Sequence, residues 1–68
     1  MDYDVYKQRL YRELNMSNSG RLLKKTIFQM FKQQLSKQEI NQLIQLMIKD
    51  GILKEETFDK QVYLKQIM

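Results

Sequence analysis

Residues 35–53 carry a start signal, a periodic stripe and a stop signal for a helix, and they constrain the fold more than any other part of the chain. Ser36 and Glu39 have the capping-box spacing, in which each side chain binds a free backbone N–H at the helix start. The apolar stripe that follows has helical spacing and comprises Ile40, Leu43, Ile44, Met47 and Ile48. Gly51 then indicates a left-handed helix end, so the pattern predicts a helix over residues 36–50.

Two further helices are predicted on the N-terminal side. Residues 2–16 carry a stripe at three- and four-residue steps, formed by Tyr3, Tyr6, Leu10 and Leu14. Residues 21–34 carry a second stripe, formed by Leu23, Ile27, Met30 and Phe31. The polar segment 16–20 between them predicts a short connection, and because it is so short and polar we expect no strand there.

The helical period stops after Gly51. Residues 52–54 are apolar, residues 55–60 are polar and turn-like, and residues 61–67 alternate β-branched or aromatic side chains with polar ones. This pattern predicts two short antiparallel strands packed on the helices, since an isolated hairpin is marginal in water. The alternative is a fourth helix over residues 55–68, but Phe58, Val62 and Leu64 align poorly at helical spacing. We therefore predict a mainly α fold, three helices followed by a small two-stranded hairpin, in a single domain over residues 1–68.

Composition excludes several classes of function. The 68 residues include no cysteine and no histidine, which excludes disulfides and thiolate metal sites and removes the commonest metal ligand and general base. The chain has no Gly-rich phosphate loop, and its serines have no base beside them. We therefore expect a protein that is not an enzyme and that has no metal site and no cofactor.

The same survey bears on location. No apolar run approaches the roughly 18 residues of a membrane span, and no signal peptide opens the chain. We expect a complete small soluble protein that begins at its own Met1, has no membrane partner and resides inside the cell, in the cytoplasm or nucleus.

Positive charge is concentrated in the middle of the chain. The formal net charge is +4, and residues 21–49 hold six Lys and Arg residues against Glu39 alone. A basic stretch inside a folded domain suits a polyanion such as nucleic acid, and a solvated lysine-rich surface is the alternative.

The order helix, helix, helix, strand, turn, strand resembles a winged helix-turn-helix. The letters LSKQEI at residues 35–40 are similar to the turn and start of a recognition helix. KDGIL at residues 49–53 resembles the junction with the first wing strand, and QVYL at residues 61–64 resembles the returning strand. The resemblance covers about half of the chain and is to small regulators of the ArsR and MarR type. It implies sequence-specific binding to double-stranded DNA by a transcriptional or replication regulator.

The resemblance also implies which residues contact DNA. The second helix of a helix-turn-helix lies in the major groove, and its first turns contact base edges. On the predicted helix the candidates for base contacts are Lys37, Gln38, Asn41 and Gln42. Amides pair bidentately with adenine, and lysine pairs with guanine. The candidates for phosphate contacts are Arg21, Lys24, Lys25 and Lys32.

Two features leave a protein partner open. Glu55, Glu56 and Asp59 fall in the predicted wing, where they would repel phosphates. A winged-helix protein-interaction module without DNA binding, an adaptor or an inhibitor, is therefore the alternative function. The first helix also predicts a homodimer, with a seam formed by Tyr3, Tyr6, Leu10 and Tyr11, although such a stripe is more often core.

Overall fold

A computed structural model describes residues 1–67, so position 68 of the predicted domain, and of the alternative fourth helix, lies outside the described residues. Residues 1–67 form three helices and a three-stranded antiparallel sheet. The elements, in chain order, are α1 (Tyr3–Met16), β1 (Arg21–Leu23), α2 (Lys24–Phe31), α3 (Lys37–Lys49), β2 (Leu53–Phe58) and β3 (Gln61–Gln66). The strand order in the sheet is β1-β3-β2. The predicted three helices and C-terminal hairpin are confirmed, but the sheet has a third strand.

The third strand corrects the prediction of a second helix over residues 21–34. The chain reverses at Gly20, whose φ of 70° is in the left-handed region that favours glycine. Residues 21–23 then pair with β3, with Leu22 opposite Leu64. Helix α2 starts after this strand and ends at Phe31, where Leu35 N–H donates to the Phe31 carbonyl at 2.8 Å.

Helix α3 is confirmed with its predicted boundaries and caps. Glu39 N–H donates to Ser36 Oγ at 3.1 Å, and Ser36 N–H donates to Glu39 Oε1 at 2.9 Å. At the other end Gly51 has a φ of 77°, and its N–H donates to the Ile48 carbonyl at 3.0 Å. Ile52 N–H donates back to Met47 at 2.9 Å, which completes a Schellman motif.

The hairpin turn is tighter than predicted. Residues 55–58 continue β2 instead of forming the predicted turn, and Phe58 pairs with Gln61. Asp59 and Lys60, with φ of 53° and 66°, form the turn between them. Two left-handed residues make a type I′ turn, whose twist matches that of the flanking strands. Because this turn needs only residues 59 and 60, the polar residues before it are free to pair as strand.

The helices and the inner face of the sheet enclose the core. The fully buried side chains include Leu10 and Leu14 of α1, Phe31 of α2, and Leu64 of β3. The buried stripe of α3 consists of Ile40, Leu43, Ile44 and Met47. Within residues 1–67 no helix has the length and apolar character that crossing a membrane requires.

Candidate nucleic-acid interface

The outer face of α3 is a row of exposed amide side chains. Because the apolar stripe points into the core, Gln38, Asn41, Gln42 and Gln45 are turned to the surface, and all are exposed. Lys37, in the first turn, is exposed at one edge of this row. The structure thus places every predicted base-contacting residue at the surface of one helix.

A lysine-lined groove lies beside this row. It has a volume of about 680 Å³ and runs between the start of α2, the start of α3 and the hairpin turn. Lys24 and Lys25 line it from α2, Lys37 and Asn41 from α3, and Lys60 from the turn. Its apolar lining comes from Leu23, Phe28 and Val62. Residues predicted for phosphate contacts and for base contacts therefore meet in one groove.

A second groove continues the basic surface between α2 and α3. It has a volume of about 430 Å³ and includes Lys32, while Lys25, Lys37 and Phe28 line both grooves. We call the combined surface of Lys24, Lys25, Lys32, Lys37 and Lys60 the lysine surface. Its lysines come from α2, α3, the hairpin turn and the segment after α2, so the tertiary fold brings them together.

Most of the lysine surface carries uncompensated charge. Among residues 1–67, no ion pair involves Lys25, Lys32, Lys37 or Lys60. Lys24 Nζ lies 3.8 Å from Glu55 Oε1, so its charge is partly compensated. In the part of the chain that the structure describes, no acidic side chain lines either groove. This surface is therefore suited to an anion that supplies the missing counter-charges.

Arg21 is not part of this surface. It lies on β1, where its guanidinium is 4.0 Å from Glu56 Oε1 and 5.0 Å from the Tyr63 ring centroid. The predicted phosphate contact of Arg21 assumed a helix that begins at this residue. Because Arg21 lies in the strand, its side chain contacts Glu56 and the Tyr63 ring of the sheet.

Two of the three acids predicted for the wing, Glu55 and Glu56, are engaged by neighbouring cations. Glu56 also contacts Lys54 Nζ at 3.9 Å, and Glu55 contacts Lys24. These ion pairs reduce the repulsion of phosphates expected from Glu55 and Glu56, whereas Asp59, beside Lys60 in the turn, has no ion pair among residues 1–67. Lys60, which sequence reasoning did not select, is the residue that the hairpin presents to the groove. The signal that could have found it is the Asp-Lys dipeptide at the midpoint of the hairpin, once residues 55–58 are assigned to a strand.

The acids near the two ends of α3 contact the N-terminal residues of the chain. Hydrogen bonding from the Ser36 backbone holds the pKa of Glu39 below its ordinary value, and its carboxylate lies 3.9 Å from the Met1 amino group. At the other end Tyr3 Oη donates to Asp50 Oδ2 at 2.8 Å. Burial, together with this bond, raises the pKa of Tyr3 to about 12. Both acids are engaged away from the lysine surface.

The residues predicted for a dimer seam have different environments. Leu10 is completely buried, and the Tyr6 ring packs edge-on against Phe31 with centroids 5.7 Å apart. Tyr3 is half-buried and bonded to Asp50, while Tyr11 is exposed. The packing of the chain therefore leaves Leu10 no surface for a partner and leaves Tyr11 available.

Comparison of the chain with known protein families, curated proteins and solved structures finds no match. Among residues 1–67 no group of three or more carboxylate side chains is placed to hold a metal ion.

Proposed function

We propose that this protein binds double-stranded DNA as a winged helix, with α3 in the major groove and the lysine surface on the phosphate backbone. The arrangement of elements supports the fold assignment. Helices α2 and α3 follow one another across a short turn, a hairpin follows α3, and β1 pairs with β3 to give the order β1-β3-β2. This order of elements supports the resemblance of residues 35–67 to a helix-turn-helix followed by a wing.

The observation that carries the proposal is the uncompensated charge of Lys25, Lys32, Lys37 and Lys60 beside an exposed amide row. Lysine side chains contact phosphates irrespective of the DNA sequence, whereas the sequence is read by side chains that contact base edges within the groove. Here both kinds of contact are presented side by side. The 13 residues of α3 make a helix about 20 Å long, and a major groove about 12 Å wide admits an α-helix.

The placement of two lysines is unfavourable for folding and so favours a binding role. Lys24 and Lys25 are the first residues of α2, where the helix dipole favours negative charge. No acidic residue occupies this first turn. A phosphate near the start of α2 would interact favourably with both the lysines and the helix end.

The proposal predicts binding that depends steeply on salt. Fluorescence anisotropy with a labelled duplex, measured at several salt concentrations, gives the slope of log K against log salt. Each phosphate contact contributes about 0.9 to that slope, so Lys25→Gln or Lys37→Gln should lower it by about that amount. Lys65→Gln is the matched control, since Lys65 is exposed on the outer face of β3 and paired with Lys54 in the register.

The outcomes are distinct. Loss of slope in the Lys25 and Lys37 variants with no change in the Lys65 variant supports the proposed interface. Equal losses in all three would indicate a non-specific charge effect and would refute it. Failure of the wild-type protein to bind any duplex at low salt would refute DNA binding altogether.

We further propose that the protein acts inside the cell as a DNA-binding regulator of transcription or replication.

A protein-interaction module is the second candidate, and exposed apolar side chains favour it. Phe58 is 65% exposed at the end of β2. Tyr11 and Ile52 line a groove of about 200 Å³ beside α1, and the exposed Ile67 is bonded through its N–H to Ile52. A stoichiometric protein partner whose binding is lost in Phe58→Ser or Tyr11→Ser, with no duplex binding at low salt, would select this function.

A further inference from the structure

We propose that α3 recognises A·T base pairs, so that the DNA site has a short A·T core at the position of this helix. The inference rests on the proposed DNA binding and specifies its substrate. It is carried by the chemistry of the outer face of α3, where the exposed side chains over two turns are almost entirely amides. These side chains are Gln38, Asn41, Gln42 and Gln45.

The amides are available for a ligand. Among residues 1–67 no side-chain hydrogen bond engages any of these four amides. An amide offers a donor and an acceptor side by side. Adenine presents the complementary pair in the major groove, an N7 acceptor next to an N6 donor.

The groups that read the other bases are scarce on this face. Arginine makes the commonest contact to guanine O6 and N7, and α3 contains no arginine. A carboxylate can accept from cytosine N4, but Glu39, the acid of α3, is held in the capping box. Lys37 lies at the edge of the row and lines both lysine grooves, which places it with the phosphate contacts. Over residues 38–45 the readout of this face therefore depends on amide chemistry, and the exposed Lys49, one turn beyond Gln45, is the other cation of α3.

The length of the amide row sets the length of the core. Gln38 and Gln45 are seven residues apart, which corresponds to about 10 Å along the helix axis. Because a helix in the major groove is inclined to the DNA axis, at about 3.4 Å per base pair this distance gives an upper limit of roughly three base pairs. Leu46, next to Gln45, is 39% exposed and offers an apolar contact to a thymine methyl group.

The test compares duplexes of equal length and identical flanks, one with an A·T core and one with a G·C core. One good bidentate contact discriminates by roughly 5- to 150-fold, so we expect a preference for the A·T core in that range. Replacing the core adenines by 7-deazaadenine removes the N7 acceptor and leaves the minor groove unchanged. This duplex should bind with the affinity of the G·C duplex or close to it.

Protein variants assign the preference to the helix. Gln42→Ala should reduce the ratio between A·T and G·C cores, while Lys25→Gln should weaken both duplexes alike and preserve the ratio. Because Gln42 is exposed, we expect its variant to retain the wild-type thermal midpoint, which circular dichroism checks. Uracil in place of core thymine should weaken wild-type binding and leave Leu46→Ala unaffected.

Each outcome is decisive. Binding to both duplexes with equal affinity overturns the A·T inference and leaves the proposed DNA binding intact. A preference that survives 7-deazaadenine also overturns it, since the A·T pairs are then read through the minor groove or through DNA shape. Binding to neither duplex at low salt refutes the proposed function itself, whereas an A·T preference lost in Gln42→Ala supports both.

Discussion

Lys25 should affect folding and binding with opposite signs. It is exposed in the first turn of α2, where the helix dipole disfavours a cation, and it lines both grooves of the lysine surface. Its removal relieves the interaction with the dipole and the repulsion from neighbouring lysines. The same removal deletes a phosphate contact if α2 faces DNA.

The magnitudes follow from this position. Neutralising a cation at an exposed helix start is worth about 0.5 kcal/mol, so Lys25→Gln should be more stable by that amount. Lys25→Glu replaces the cation with a favourable anion, and we expect a gain of about 1 kcal/mol. For a domain of this size 1 kcal/mol raises the thermal midpoint by roughly 4–8 °C. Binding should weaken in the order wild type, Gln, Glu.

Two assays measure the two effects on the same samples. Thermal unfolding followed by circular dichroism at low ionic strength gives stability, and anisotropy titrations at several salt concentrations give affinity and its salt slope. Added salt should diminish the stability gain, since it screens the dipole interaction. Lys65→Gln, on the outer face of the sheet, should leave the salt slope unchanged.

Either of two results contradicts this dual role of Lys25. If the Lys25 variants lose both stability and affinity, the binding loss reflects unfolding and the unfavourable position of Lys25 has been misjudged. If they gain stability while the salt slope stays at the wild-type value, Lys25 does not contact phosphate and the lysine surface is a solvated face.

Four further predictions concern the caps and the hairpin turn. Ser36→Ala should destabilise the protein by about 1 kcal/mol in denaturant unfolding, because it removes the N-cap of α3. Glu39→Gln should lower the thermal midpoint at neutral pH. The difference from wild type should vanish as pH falls below 4.5 and through the lowered pKa of Glu39, since a depressed carboxyl pKa stabilises only while the group is ionised. Tyr3→Phe should be less stable than wild type at pH 8, since it removes the hydrogen bond to Asp50. This difference should disappear between pH 10 and about 12, because a raised phenol pKa favours folding only while the phenol keeps its proton. Lys60→Gly should raise stability by about 1 kcal/mol, since glycine has no steric penalty at a φ of 66°. The same variant should weaken DNA binding. A loss of stability would contradict the assigned turn.

The part of the fold that the sequence predicted best is governed by local rules. The start of α3 depends on Ser36 and Glu39, three residues apart, and its end depends on Gly51. Such signals act within one or two turns, so they can be read without knowledge of the rest of the chain. All of them agree with the buried stripe of the helix, and agreement between levels makes a sequence pattern specific.

Strand β1 could not be predicted because its stabilising partner is remote. Leu22 pairs with Leu64, more than forty residues later in the chain, and Gly20 O accepts from Gln66 N–H at 2.9 Å. Locally, residues 21–23 continue the apolar stripe of the following helix and favour a helical interpretation. Tertiary pairing overrides that preference, as it commonly does in short strands.

The candidate site was predictable to the extent that it lies on helices. The exposure of Gln38, Asn41 and Gln42 follows from the period of α3 alone. Arg21 lies apart from the lysine surface because of the missed strand, since a strand and a helix direct this side chain differently. Lys60 was missed for a related reason, since the position of the turn depends on how far β2 extends.

The lysine surface combines features that each lower the stability of the free protein. Lys24 and Lys25 oppose the dipole of α2, Lys60 takes a left-handed conformation, and like charges line the same grooves. Within residues 1–67 no ion pair offsets the charge of Lys25 or Lys60. Local unfavourable choices concentrated on one surface are typical of functional sites. A bound polyanion would reverse the electrostatic part of this cost, and a ligand at one hundred times its Kd stabilises the folded state by about 2.7 kcal/mol. Under the proposed DNA binding, the same lysines lower the stability of the free protein and raise the stability of the complex.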